Sequence, residues 1–199
     1  ENSAQTLNGV MYSVGGSESG YTTNVFRYRS GAWTEARGLP AIRGDMALGL
    51  LQGRLVAAGG FGTTTHSNVY RFDGTNWTET ASLPQRRYLA GAGVLNGAFY
   101  VVGGTPDGAN SYTNVFRFDG TNWTEVAGLP VPLFGLGVGE LNGYLFAFGG
   151  VKSSPVTYKT NAYRFDGFSW TEIPGMPGGR SGVGGVTFNG QVYSIGGFD

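Results

Sequence analysis

Five glycine pairs recur along this 199-residue chain, at Gly15-Gly16, Gly59-Gly60, Gly103-Gly104, Gly149-Gly150 and Gly196-Gly197. Their spacings are 44, 44, 46 and 47 residues. The four tryptophans, Trp33, Trp77, Trp123 and Trp170, keep step at 44, 46 and 47. Residues 68–84 match residues 114–130 at 14 of 17 positions, which points to duplication within the chain. A period of this length constrains the fold more than any local propensity. Each unit must be one supersecondary element that buries its faces only by stacking on its neighbours. The units run 1–44, 45–88, 89–134 and 135–181, with a half unit at 182–199, in a single domain or domain segment spanning 1–199.

Each unit reads as four short strands. The first is rich in glycine and alanine, as in Leu89–Leu95, and ends at Asn96-Gly97, a type I′ hairpin signal. Equivalent turns stand at Asn8-Gly9, Gln52-Gly53, Asn142-Gly143 and Asn189-Gly190. The second strand is an apolar run such as Ala98–Val102, which closes on the glycine pair and is consistent with burial on both faces. The third is typified by Asn68–Phe72, followed by Asp-Gly in three units. The fourth opens at the Trp-Thr-Glu motif, and a Leu-Pro or Met-Pro corner ends the unit. No segment sustains a 3.6-residue period, so no helix is expected.

A four-stranded unit of 44–47 residues is one blade of an all-β propeller. The Trp-Asp signature of one common propeller class is missing, since every tryptophan here is followed by threonine. The double glycine, an aromatic at Phe26, Tyr70, Phe116 and Tyr163, and a tryptophan seven residues later resemble the kelch repeat. The resemblance extends over the whole chain and implies a kelch-like propeller with four full repeats and a half repeat. Kelch rings commonly hold six or seven blades. Residue 1 aligns with Asp45, Leu89, Gly135 and Gly182, so the two ends duplicate inner strands rather than complement each other. The expectation is that the chain associates with another chain or belongs to a longer propeller.

Composition removes several functions. The chain has no cysteine, which excludes disulfides and thiol ligands, and one histidine, His66, which excludes sites built on two. Thirteen Lys+Arg balance thirteen Asp+Glu without a basic run, so no nucleic-acid partner is expected. No apolar stretch reaches the length of a membrane-spanning helix. No metal or other cofactor is expected. Low charge with abundant Gly, Thr, Ser, Asn and Tyr suits an extracellular or cell-surface protein, of bacterial type.

Length variation is confined to one place. The glycine pair precedes Asn24, Asn68, Asn114 and Asn161 by nine, nine, eleven and twelve residues, whereas every other landmark interval is constant. The variable loops, 17–23, 61–67, 105–113 and 151–160, join second to third strands. In an up-and-down blade they share a face with the corner prolines, and binding commonly resides in such loops.

The candidate binding residues lie on that face. Arg43, Arg87 and Arg180 each stand three residues after a corner proline, where Leu133 fills the remaining slot. They are expected at the mouth of the central channel as a clamp for a carboxylate, sulfate or phosphate. The kelch resemblance offers another role for them, as structural arginines bonded to backbone carbonyls. Tyr21, Tyr112 and Tyr158 could stack on sugar or peptide, or else cover neighbouring blades. His66 reads as a surface loop residue, and Glu140, the one acid at its repeat position, as a rim residue or a general base. No catalytic residue is assigned. The leading reading is a binding module for a protein or glycan ligand. The alternatives are an enzyme acting on an anionic sugar, similar to sialic-acid epimerases, and a structural module of a surface or filament protein.

Overall fold

The computed structural model describes residues 3–199, and among them there are strands and turns but no helix. Four antiparallel four-stranded blades form a β-propeller. The first holds β1 (Ser3–Leu7), β2 (Val10–Val14), β3 (Val25–Arg29) and β4 (Ala32–Glu35). The second holds β5 (Ala47–Leu51), β6 (Arg54–Ala58), β7 (Val69–Phe72) and β8 (Trp77–Thr80). The third holds β9 (Gly91–Leu95), β10 (Ala98–Val102), β11 (Val115–Phe118) and β12 (Trp123–Val126). The fourth comprises β13 (Phe134–Leu141), β14 (Tyr144–Lys152), β16 (Ala162–Phe165) and β17 (Trp170–Ile173), with the short β15 (Thr157–Tyr158) paired to β14. A two-stranded sheet follows, β18 (Ser181–Phe188) and β19 (Gln191–Phe198). The sequence alignment of residue 1 lies outside the described residues.

Strand order within each blade follows chain order, and the innermost strands β1, β5, β9, β13 and β18 touch in succession. They surround a channel of about 320 Å³, lined by small residues such as Ala47, Ala90, Gly91, Gly137 and Gly184. The glycine content of these strands has a steric cause. A Cβ on Gly49 would lie 2.6 Å from the Phe99 ring, and one on Gly91 2.4 Å from Val138. Strands that converge on an axis leave no room for more. Past the exposed Arg54, the second strands β6 and β10 are buried throughout, as their apolar sequences require.

The glycine pair is a docking point for the connection to the next blade. Gly59 donates its N–H to Asn68 O (3.1 Å) and Gly60 to Arg87 O (2.8 Å). A Cβ on Gly59 would fall 2.4 Å from that Arg87 carbonyl, so only glycine lets the connection pass. The first strand of the third blade starts at Gly91 rather than Leu89, because Leu89 adopts a left-handed φ of 52°. Its N–H thereby reaches Asp45 O (2.9 Å), and Gly135 N–H reaches Leu89 O (2.7 Å), tying successive blades together around the channel.

Tryptophan fastens each blade to the one before. Trp77, Trp123 and Trp170 stack on Phe72, Phe118 and Phe165 with centroids 4.7 Å apart. Their indole N–H groups donate to Arg37 O, Ala81 O and Ala127 O, each four residues past the preceding tryptophan or its equivalent. The recurring asparagine and glutamate latch the outer pair: Asn68 Nδ2 donates to Glu79 Oε1 (2.5 Å), Asn161 to Glu172 (2.7 Å), and Asn114 to Glu125 likewise. The Asn-Gly turns have positive φ at both residues, as a type I′ hairpin needs. The Asp-Gly turns differ. Asp73, Asp119 and Asp166 instead accept backbone N–H bonds from the two residues after the glycine, which makes them Asx turns.

Candidate functional site at the loop face

The variable loops and the corner connections meet on one face. Gly44 and Phe61 exchange backbone hydrogen bonds (2.8 and 2.9 Å), as do Tyr88 and Thr105 (both 3.0 Å). Those two bridges bring three aromatic rings from three different segments into one row. The Tyr21 and Phe61 ring centroids are 5.4 Å apart, and the Phe61 and Tyr88 centroids 5.1 Å. All three rings are half-buried, so each keeps an accessible part. Tyr21 OH donates to Asp45 Oδ2 (3.2 Å). Burial first, then the Asp107 and Asp45 carboxylates, hold the Tyr88 phenol above its ordinary pKa, so it stays protonated and able to donate.

Asp107 is set by its own loop. Its carboxylate accepts N–H bonds from Asn110 and Ala109 and a further bond from Asn110 Nδ2, and these hold it below the usual carboxylate range. Thr105 Oγ1 caps the same turn, accepting from Gly108 N–H (2.8 Å). Thr65 Oγ1 donates to Pro106 O (2.6 Å), joining the second and third variable loops. The combined surface is an aromatic row flanked by carboxylates beside the channel, whose lining includes Asp45.

The arginines lie elsewhere. Arg43 and Arg87 are 0 % and 1 % exposed and do not line the channel, contrary to the expectation that they ring its mouth. Arg43 Nη1 donates to Gly59 O (3.0 Å) and Asn68 O (3.4 Å), with the guanidinium 4.8 Å from the Tyr70 centroid. Arg87 Nη1 donates to Gly103 O (2.7 Å) and Asn114 O (3.2 Å), between Phe116 (4.4 Å) and Tyr112 (4.8 Å). Each planar guanidinium thus bridges the end of a second strand to the start of a third while stacked on an aromatic ring. Burial lowers both pKa values, that of Arg87 to about 10. Leu133, in the same slot, is buried in the apolar core shared by the third and fourth blades. Arg180 is exposed, beside a hollow lined by Met176, Pro177, Ser194 and Gly196.

The remaining candidates do not converge. Tyr112 is committed to the Arg87 stack, and Tyr158 lies edge-on to Phe198 at 6.0 Å. His66 is half-buried rather than a surface residue, and burial, then the Arg43 charge, lower its pKa. Glu140 is exposed at the opposite rim, where Oε1 accepts from Gly143 N–H (3.4 Å). Of the candidates named from sequence, only Tyr21 joins the aromatic row. Phe61 and Tyr88 were missed there. Ser17, Thr105, Val151 and Phe198 follow the other glycine pairs, and Gly44, Phe134 and Ser181 follow the other arginine slots, so neither position carries a constant residue that would have drawn attention to it.

Among the described residues no cluster of His, Asp and Glu could hold a metal ion, and no helix could cross a membrane. A scan against protein-family models gives no match, and a search of curated proteins gives none either. Among solved structures the chain is similar to the structure of YjhT, with a TM-score of 0.87 at 16 % sequence identity. The likeness covers 98 % of this chain and 76 % of that one. At that identity it establishes the β-propeller fold.

Proposed function

We propose that the protein is a non-enzymatic binding module that engages a glycan or protein ligand with its variable-loop face. The observation that carries this reading is the row Tyr21–Phe61–Tyr88, drawn from three segments and flanked by Asp45 and Asp107. Aromatic faces stack on the C–H faces of sugars or on peptide, and the carboxylates accept from hydroxyl or amide donors. A neutral, hydroxyl-rich glycan fits this chemistry best. An anionic sugar fits it less well, because carboxylates flank the row and the Arg43 and Arg87 guanidiniums are committed to backbone carbonyls. The geometry therefore favours binding over the sialic-acid-epimerase-like alternative.

Glycan-array screening, followed by titration of the best neutral oligosaccharide, tests the reading. Tyr21→Ala and Tyr88→Ala should each weaken binding about tenfold while leaving cooperative unfolding intact, the scale expected for one lost ring contact. If changes at the Asn96 or Asp119 turns abolish binding and the tyrosine changes do nothing, the loop-face assignment is wrong.

A further inference from the structure

Phe61, the middle ring of the row, belongs to a tight loop whose base holds the only histidine of the sequence. Gly62 donates its N–H to Thr64 O (3.0 Å), and Phe61 and Thr65 face each other across the loop as an isolated β-bridge. His66 closes the loop. Its N–H donates to Gly60 O (2.9 Å), and its carbonyl accepts from Arg87 N–H (3.2 Å). Its ring packs back over Gly62, where a Cβ would lie 3.1 Å from His66 Nε2 and 2.4 Å from Ile42 O. The imidazole is thus wedged where the loop meets the corner connection that carries Ile42. Nε2 is buried there and makes no hydrogen bond.

The third blade holds the same arrangement without a group that titrates near neutral pH. Tyr112 makes the same two backbone bonds, its N–H to Gly104 O (2.9 Å) and its carbonyl from Leu133 N–H (3.1 Å), and its ring lies 4.8 Å from the Arg87 guanidinium. Gln85 serves the far edge of that guanidinium, accepting from Nε at its backbone O (3.4 Å) and from Nη2 at Oε1 (3.2 Å). Around Arg43 both residues are smaller: His66 stands for Tyr112 and Ala41 for Gln85. Arg43 is fully buried, and its Nε and Nη2 have no acceptor. Its charge is therefore less quenched than that of Arg87, and it acts on His66. The neighbouring charged groups are engaged in other contacts. Arg87 donates into the third blade, Glu79 accepts from Asn68, and Asp45 and Asp107 act on Tyr88. Protonating His66 thus sets a second cation beside a buried one, and the Ile42 carbonyl does not outweigh burial and the Arg43 charge.

We propose that His66 is an acid-sensitive latch on the loop 61–67: neutral, it holds Phe61 in the aromatic row, and protonated, it leaves its wedge for water and draws Phe61 out of the row. The position is half-buried, so the imidazolium has a short path to solvent. The contacts that loosen with it are the Phe61–Gly44 bridge (2.8 and 2.9 Å) and the Thr65 Oγ1 bond to Pro106 O (2.6 Å). The consequence for ligands rests on the reading of the row as the binding surface. A ligand seated on the row loses its middle ring contact in acid, and by linkage its binding makes His66 harder to protonate.

Amide hydrogen exchange of the full chain, expressed as protection over the intrinsic rate, tests the latch at about pH 5.5 and about pH 7.5, on either side of the ordinary histidine pKa. The Phe61, Gly62 and His66 amides, all hydrogen-bonded within or beside the loop, should lose protection several-fold in acid. The Thr105 and Tyr112 amides, which make the equivalent bonds in the third blade, should keep theirs. Nuclear Overhauser contacts from the Phe61 ring to Tyr21 and Tyr88 should fade with the same midpoint as the imidazole titration. His66→Gln, neutral at both pH values, should show the same protection at each. Undiminished protection of Phe61 in acid, equal losses in both loops, or an acid response that survives His66→Gln each overturns the proposal. None of these readouts requires a ligand, so failure of the latch and failure of the glycan reading are separate results.

Discussion

Arg87→Leu separates a structural arginine from a ligand clamp, and the structure fixes its expected size. The variant removes a charged donor from Gly103 O at 2.7 Å, which is worth about 1.5–3 kcal/mol. Asn114 O keeps the N–H of Gly103 and so remains paired. The stack on Phe116 and Tyr112 contributes up to about 2 kcal/mol more. Against these losses stands the cost of burying the cation. Burial draws the Arg87 pKa down to about 10, a penalty of about 3 kcal/mol that leucine does not carry. The fold also accepts leucine in this slot, since Leu133 is fully buried there. The net expectation is a loss of at most about 2 kcal/mol, or at most roughly 8 °C in Tm for a domain of this size. Arg87→Lys should cost more. It retains a compact charge that cannot stack or reach both carbonyls. Thermal and urea unfolding of the three proteins, with and without millimolar sulfate at constant ionic strength, decides the matter. A leucine variant as stable as wild type, coupled to loss of a sulfate-induced rise in Tm, would refute the structural role.

Two further outcomes follow from individual contacts. His66 has a folded-state pKa below 6.5, so the unfolded chain binds more protons as pH falls through that value; stability should decline from pH 7.5 to 5.5, and His66→Gln should flatten that slope. An imidazole NMR titration midpoint at or above 6.5 would contradict this. Gly49→Ala places a Cβ 2.6 Å from the Phe99 ring and should destabilise by about 1–3 kcal/mol in chemical denaturation, so an alanine variant of equal stability would show that the channel wall is less tightly packed.

The blade architecture was legible because it repeats. Glycine pairs, tryptophans and Asn-Gly turns recur at nearly constant intervals, and each proved to serve one contact made again in the next blade. Gly60 N–H to Arg87 O has its counterparts at Gly16, Gly104 and Gly150. The Trp77 indole bond likewise recurs at Trp123 and Trp170. The strand starts were less legible where backbone geometry overrode pattern. The apolar Leu89 reads as strand but turns left-handed to reach Asp45 O, and nothing in its side chain announces that.

The site was harder to read for a related reason. Periodicity gives the distance between equivalent positions, and Arg43 and Arg87 are equivalent positions. Their sequence pattern therefore reports what the blades share, and what they share is a carbonyl clamp over an aromatic ring. The loop-face row is built from non-equivalent positions: Tyr21 three before an asparagine, Phe61 after a glycine pair, and Tyr88 after an arginine. No single register aligns them. They meet because loop and corner connection pair within a blade, through Gly44 with Phe61 and Tyr88 with Thr105, and because adjacent blades set those pairs side by side. Side chains brought together from non-equivalent positions are consequently better binding candidates on this scaffold than those the repeat aligns.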